Sequence, residues 1–210
     1  MANIDAPFGL RPVRHANGAP YNGAATPMFI SGTYATALFV GDPVVRIAAG
    51  SNTKIVDVPG YGSFPQGTLP AVVRASVGDT ERITGVIVGF AAQPTDLETK
   101  WSKASTQGVA LVTADPDLVY EIQADGAIPA ASIGLNAVLI ATHAGSTNTG
   151  LSGMELDTTS DTPEANASNQ LRILASVNRP DNDTTITHAK VLVQINKPTE
   201  ATSDAGTLGI

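Results

Sequence analysis

Glycine and proline punctuate this chain so closely that the stretches between them are short, and from residue 37 onward those stretches are filled largely with valine, isoleucine, leucine and alanine. Short aliphatic and β-branched runs bounded by turn residues are the pattern of sandwiches and barrels. The spacing predicts strands at 37–40, 43–48, 54–58, 71–75, 83–90, 109–113, 118–123, 137–142, 154–157, 171–177 and 189–195. Two of these alternate cleanly: Leu118, Tyr120 and Ile122 share one face, as do Val191, Val193 and Ile195. The run 83–90 is apolar on both faces and reads as a central strand, in which Gly85 and Gly89 permit a bulge or a close approach. Helical patterning is confined to 96–104, with Thr95 or Asp96 as its cap, and to 162–169. Loops are expected near 50–53, 60–68, 144–152 and 158–169. The predicted fold class is all-β, an antiparallel sandwich or barrel body from 36 to 198 with an extended N-terminal arm at 1–35 and a flexible C-terminal tail at 199–210.

Composition narrows what such a fold can do. Hydrophobic residues make up 42% of the chain but aromatic residues only 5%, so the core must be aliphatic, and a sugar platform built on one Trp and four Tyr would be thin. A net charge of −7 argues against a surface that neutralises phosphates, which excludes direct nucleic-acid binding as the main role. With no cysteine there is no disulfide framework, thiolate nucleophile or Cys-based zinc site. The start of the chain lacks the basic and apolar regions of a signal peptide, and no apolar run reaches the roughly 20 residues a membrane span needs. A soluble, non-secreted product with no membrane association is expected.

The arm stands apart from the rest in its density of breakers: Pro7, Pro12, Pro20 and Pro27 interleave with Gly9, Gly18, Gly23 and Gly32. Proline biases its predecessor toward extended geometry, so Ala6, Arg11, Ala19 and Thr26 should all be extended. The arm also holds apolar anchors, among them Phe8, Leu10 and Tyr21, that would be costly to leave in water. Arg11, Arg14 and His15 add local positive charge to an acidic chain. Two readings follow. The arm clasps a neighbouring subunit, with Phe8, Leu10 and Tyr21 as apolar contacts and Arg11 and Arg14 paired to its carboxylates, or it folds back onto its own β body.

Motifs for catalysis are missing. His15, His143 and His188 lack the helical spacing of a zinc motif and read as scattered surface or turn histidines. Gly150-Leu151-Ser152-Gly153 has the wrong spacing for a nucleophile elbow. The glycine-rich stretch at 60–67 has no Lys-Ser/Thr and opens no helix, so it is a loop rather than a phosphate cradle. Asp115-Pro116-Asp117 and Asp181-Asn182-Asp183 read as turns, although oxygen-rich loops of this kind can bind Ca²⁺ when other ligands converge. No catalytic residue, metal ligand or cofactor is expected.

Ala6-Pro7-Phe8-Gly9-Leu10-Arg11-Pro12-Val13-Arg14-His15, followed by Gly18-Ala19-Pro20-Tyr21-Asn22-Gly23, resembles the opening of a family of tailed-bacteriophage structural proteins, described as virion, decoration or cement proteins. The resemblance continues through 34–44 and more loosely through Arg179-Pro180-Asp181-Asn182 and Val193-Gln194-Ile195-Asn196. It implies a non-enzymatic protein made in the bacterial cytoplasm and carried on the virion capsid surface, with the major capsid protein and copies of itself as partners. A sugar-binding or hydrolytic module of a tail fibre or spike, or a tail or connector structural protein, is the alternative. The resemblance brings with it no functional residues.

Overall fold

The structure is a computed structural model that describes residues 3–58, 62–76, 82–93 and 96–199. Among them are fourteen β-strands and one 3-10 turn, Ala130–Ser132. The strands are β1 (Arg11–His15), β2 (Thr26–Ile30), β3 (Pro43–Ser51), β4 (Val56–Val58), β5 (Gly62–Phe64), β6 (Pro70–Arg74), β7 (Gly85–Phe90), β8 (Gly108–Thr113), β9 (Leu118–Gln123), β10 (Asn136–Ala137), β11 (Leu139–Ile140), β12 (Glu155–Leu156), β13 (Leu171–Ser176) and β14 (Lys190–Ile195). The chain is all-β, and no helix among the described residues is long and apolar enough to cross a membrane.

Two larger units form. A closed barrel has the order β2-β6-β3-β7-β8, antiparallel throughout except where β2 meets β6 in parallel at Phe29 and Ala71. An antiparallel sheet has the order β1-β9-β14-β13-β10. The period-2 geometry of strands divides the barrel residues between two cores. Met28, Ile30, Val72, Ala110 and Val112 point into one cluster with Leu38, Val44 and Ile87. Their neighbours Phe29, Ala71 and Val109 turn to the other, where Val56, Leu69 and Phe64 pack on them beneath the β4–β5 hairpin.

A third and larger cluster joins sheet to barrel. Leu118, Tyr120 and Ile122 from β9 and Val191, Val193 and Ile195 from β14 meet Leu171 and Ile173 of β13 together with Ile83 and Val86 from the barrel side. The alternation read from the sequence therefore selects the core face of β9 and β14. On β7 the expected irregularity is present as a register shift between Ile87 and Gly89, and at Gly85 an added Cβ would lie 1.9 Å from the Thr113 carbonyl oxygen.

Several expectations need correction. No helix forms at 96–104 or 162–169, because distant backbone pairing claims both: Ser102 pairs with Leu38 and Glu164 with Asn136. Thr95 lies outside the described residues, as do Gly60, Tyr61 and nearly all of the tail expected at 199–210. The remainder of the loop expected at 60–68 contains β5. Residues 37–40 make isolated bridges, Leu38 to Ser102 and Val40 to Leu151, instead of a strand, and 137–142 is divided between two sheets.

The largest correction concerns the arm expected at 1–35, whose described residues, 3–35, are not set apart from the body. β1 is an edge strand of the five-stranded sheet, and β2 is a stave of the barrel. Proline is tolerated there because each occurrence avoids a position needing two neighbours. Pro12 lies on the sheet edge next to a register shift, and Pro27 faces only β8, since β2 touches β6 at Phe29 alone.

Candidate interaction surface

The N-terminal segment reaches the body through a backbone contact that side chains could not make. Leu10 N donates to the Gly41 carbonyl at 2.9 Å, and Gly41 has φ of +96°. A Cβ on Gly41 would stand 2.1 Å from the Phe8 carbonyl oxygen. Beneath this contact is the buried carboxylate of Asp42, which accepts from the Ser152 hydroxyl at 2.5 Å and from the Phe39 amide at 2.9 Å, with Arg74 Nε at 3.6 Å. Burial pushes the Asp42 pKa up, against the opposing effects of Arg74, Ser152 and the Phe39 amide.

Leu10 is 1% exposed and belongs to the largest core cluster, so it anchors the segment to its own chain. Arg11 is also used internally. Its Nη2 lies 2.7 Å from Glu121 Oε2, while Arg179 Nη2 lies 2.6 Å from Glu121 Oε1, so one nearly buried carboxylate is held by two guanidinium groups. The Arg11 guanidinium also lies over the Phe8 ring, 4.7 Å from its centroid. Arg14 donates to the neighbouring His15 carbonyl at 3.3 Å. Tyr21 packs at the margin of the largest core, and its hydroxyl donates to the Ala24 carbonyl at 3.0 Å. Arg11, expected to pair with a neighbouring subunit, is paired with Glu121 of its own chain, and Leu10 packs in the chain's own core.

Phe8 and Tyr21 remain partly open. They line a surface groove of about 270 Å³ with Val40, Val88 and Leu151, and a second groove of about 400 Å³ runs along the other side of Phe8, bordered by Pro7 and Thr149. Leu151 is 37% exposed between them. This face is built by segments far apart in sequence: the N-terminal motif, the turn at 39–42 and the loop at 144–153. Of the five residues singled out in the sequence, the structure brings Phe8, Leu10, Arg11 and Tyr21 to one place, with Arg14 turned along β1.

Comparison with known proteins adds no relative. No protein-family model, curated protein or solved structure matches the chain.

A different surface bears on the hydrolytic alternative. The Trp101 ring stacks on Phe39, centroids 5.3 Å apart and planes inclined by 18°, beside a cavity of about 150 Å³ that Asp96 and Lys103 also line. Hydrogen bonds from Lys103 and then Thr99 bring the Asp96 pKa down to about 2. A carboxyl held so low is an anion at neutral pH and does not fit the general-acid role.

The acidic turns resolve into local bonding. Asp115 accepts the Asp117 amide at 2.8 Å and pairs with His15 at 3.1 Å, and Asp183 accepts from both the amide and the hydroxyl of Thr185. Sequence reading missed a group elsewhere. His143 and His188, read as scattered, both approach Glu155, and Asp5 joins them. Burial raises the Glu155 pKa, and the Asp5 charge adds to the effect. No periodicity could have shown this, because the four residues come from four separate segments.

Proposed function

We propose that this chain is a non-enzymatic structural protein of a tailed-phage virion, a decoration or cement protein that stabilises the head by packing against the major capsid protein and against copies of itself. The observation that supports this most is the apolar face around Phe8. The segments that bear the resemblance to phage structural proteins, residues 6–15 and 34–44, are the ones that meet at Gly9 and Gly41 and border the groove with Leu151. The polar interior is spent on holding segments together, at Asp42 and at Glu121, and not on lining a cleft.

The physics of such a role is undemanding. A protein that binds assembled shells but not free subunits stabilises the assembly by mass action. Many copies, each contributing a modest contact, add up through multivalency. Apolar contact dominates at this face, since a fully buried Phe or Leu side chain contributes about 1.5–3 kcal/mol and an exposed ion pair only about 0–1 kcal/mol.

Imaging of particles from the phage that encodes the chain tests the proposal. Many symmetric copies on the outer surface of the head are expected. Location on fibres or the tail alone overturns it, as would turnover of a polysaccharide or ester that is lost on mutating a single carboxylate.

A further inference from the structure

One donor atom from each of Asp5, Glu155 and His188 lies within 4.8 Å of the other two. The three residues come from the N-terminal segment, from β12 and from the turn two residues before β14. Proximity alone would not make a site, but two buried atoms here lack a hydrogen-bond partner. The Glu155 side chain is 6% exposed, and while its Oε2 meets His143 Nδ1 at 3.0 Å, its Oε1 is buried with no hydrogen-bond partner. His188 Nδ1 is likewise buried without a hydrogen-bond partner and stands 3.7 Å from Asp5 Oδ1, beyond hydrogen-bond reach. Native structures rarely leave a buried carboxylate oxygen and a buried imidazole nitrogen without hydrogen-bond partners.

We propose that Asp5, Glu155 and His188 form a site for a divalent transition-metal ion, with Zn²⁺ the best match, that pins the N-terminal segment to the body. Imidazole with carboxylates suits zinc better than Ca²⁺ or Mg²⁺, which favour all-oxygen sets. A tetrahedral site with bonds of about 2.1 Å has edges of roughly 3.4 Å. The Asp5–His188 separation of 3.7 Å is already close to such an edge. Further closure falls to Asp5, which is exposed and held only by a 3.4 Å hydrogen bond from the Gln123 amide and the contact with His188. His143, on the opposite oxygen of Glu155, orients the carboxylate as a supporting partner does at many metal sites. Three protein ligands leave one position for water.

Titration of the metal-stripped full chain with ZnCl₂ by calorimetry, paired with thermal melts, tests this. One Zn²⁺ per chain is expected, with a rise in Tm that a chelator reverses. Asp5→Asn, at an exposed position where misfolding is not a concern, should weaken binding about tenfold or more, given that losing even a supporting partner costs about 10–100-fold. His188→Asn should do the same. His188 sits at φ of +61°, a conformation that asparagine tolerates, so the variant keeps the backbone. His15→Ala, which removes the separate His15–Asp115 pair, should leave affinity unchanged. The proposal is overturned if no saturable binding occurs at millimolar Zn²⁺, or if Asp5→Asn and His188→Asn both bind as the wild type does.

Discussion

Gly9 and Gly41 pack backbone against backbone: a Cβ on Gly9 would fall 2.3 Å from the Gly41 carbonyl oxygen, and both residues have positive φ. The contact closes the N-terminal segment onto the turn before β3. Gly41→Ala should therefore combine a left-handed conformation, costing about 1–2 kcal/mol for a residue with a Cβ, with a clash against rigid backbone. Gly23 also has positive φ, +85°, but an added Cβ there meets nothing within 4 Å. Urea denaturation should show a loss for Gly41→Ala larger than that for Gly23→Ala by at least about 1 kcal/mol. Equal losses would mean that the segment simply lifts away.

Glu121 is held by two arginines, so either one should partly substitute for the other. Arg11→Met and Arg179→Met should each cost about 1 kcal/mol or less, because both arginines are partly exposed and the carboxylate keeps one partner. Together they would leave a nearly buried carboxylate uncompensated, at about 3–5 kcal/mol. A double-mutant cycle read by urea midpoints should give clear non-additivity. Additive losses would show that solvent reaches Glu121 without the arginines.

Leu10→Ala should destabilise by about 2–5 kcal/mol, as expected for a fully buried leucine. Deleting residues 2–24 removes both Leu10 and β1 and so unpairs one edge of β9. Loss of near-UV circular dichroism is the expected outcome, in place of the intact body that a detachable arm would leave behind.

Leu151→Asp tests the groove apart from the fold. Leu151 is partly exposed, so its urea midpoint should stay near that of the wild type, while occupancy on capsid shells should fall about tenfold or more, equivalent to about 1.4 kcal/mol. Unchanged occupancy would move the interface to another face.

Burial holds the Asp42 pKa above its ordinary 3.8. A native state that binds the proton more tightly than the unfolded chain is most favoured below the ordinary value and loses that advantage as pH rises through the raised pKa. Wild-type stability relative to Asp42→Asn should therefore fall as pH increases above 3.8. Asp96 acts in the opposite sense, with its contribution present above 3.8 and lost as pH falls toward 2. Urea midpoints across pH 2–7 measure both, and a constant difference between wild type and Asp42→Asn would rule out Asp42 as the titrating group.

Most of the body was legible because strand burial repeats every two residues: the core faces of β9 and β14 could be named from Leu118, Tyr120, Ile122, Val191, Val193 and Ile195 alone. β1 and β2 were not legible. Pro12 and Pro27 argue against strands by local rules, and only the tertiary fact that each faces a neighbouring strand on one side alone removes the objection. The helix expected at 96–104 failed for a similar reason, since pairing between Leu38 and Ser102 overrode a weak local preference. Site residues divide along the same line. The apolar character of Phe8, Leu10 and Tyr21 was visible, but the partner of Arg11 was not, because Glu121 lies 110 positions away. Nothing local joins Asp5 to His188.

The sheet order also fixes a timetable for biosynthesis. β1 can bond locally to residues 19–21, but it finds its partner in the five-stranded sheet only when β9 has been made, and β9 remains without its other flank until β14 emerges near the end of the described chain. Asn3 waits longer still than β1, since its side-chain amide donates to the Asp183 carbonyl across 180 positions. A nascent chain therefore carries β1 without its sheet partner until Leu118–Gln123 has been made, and long-range pairing of this kind makes folding slow. The hazard lies less in the finished molecule than in the unfinished one, whose open strand edges and apolar N-terminal residues are available to other nascent chains before their own partners exist.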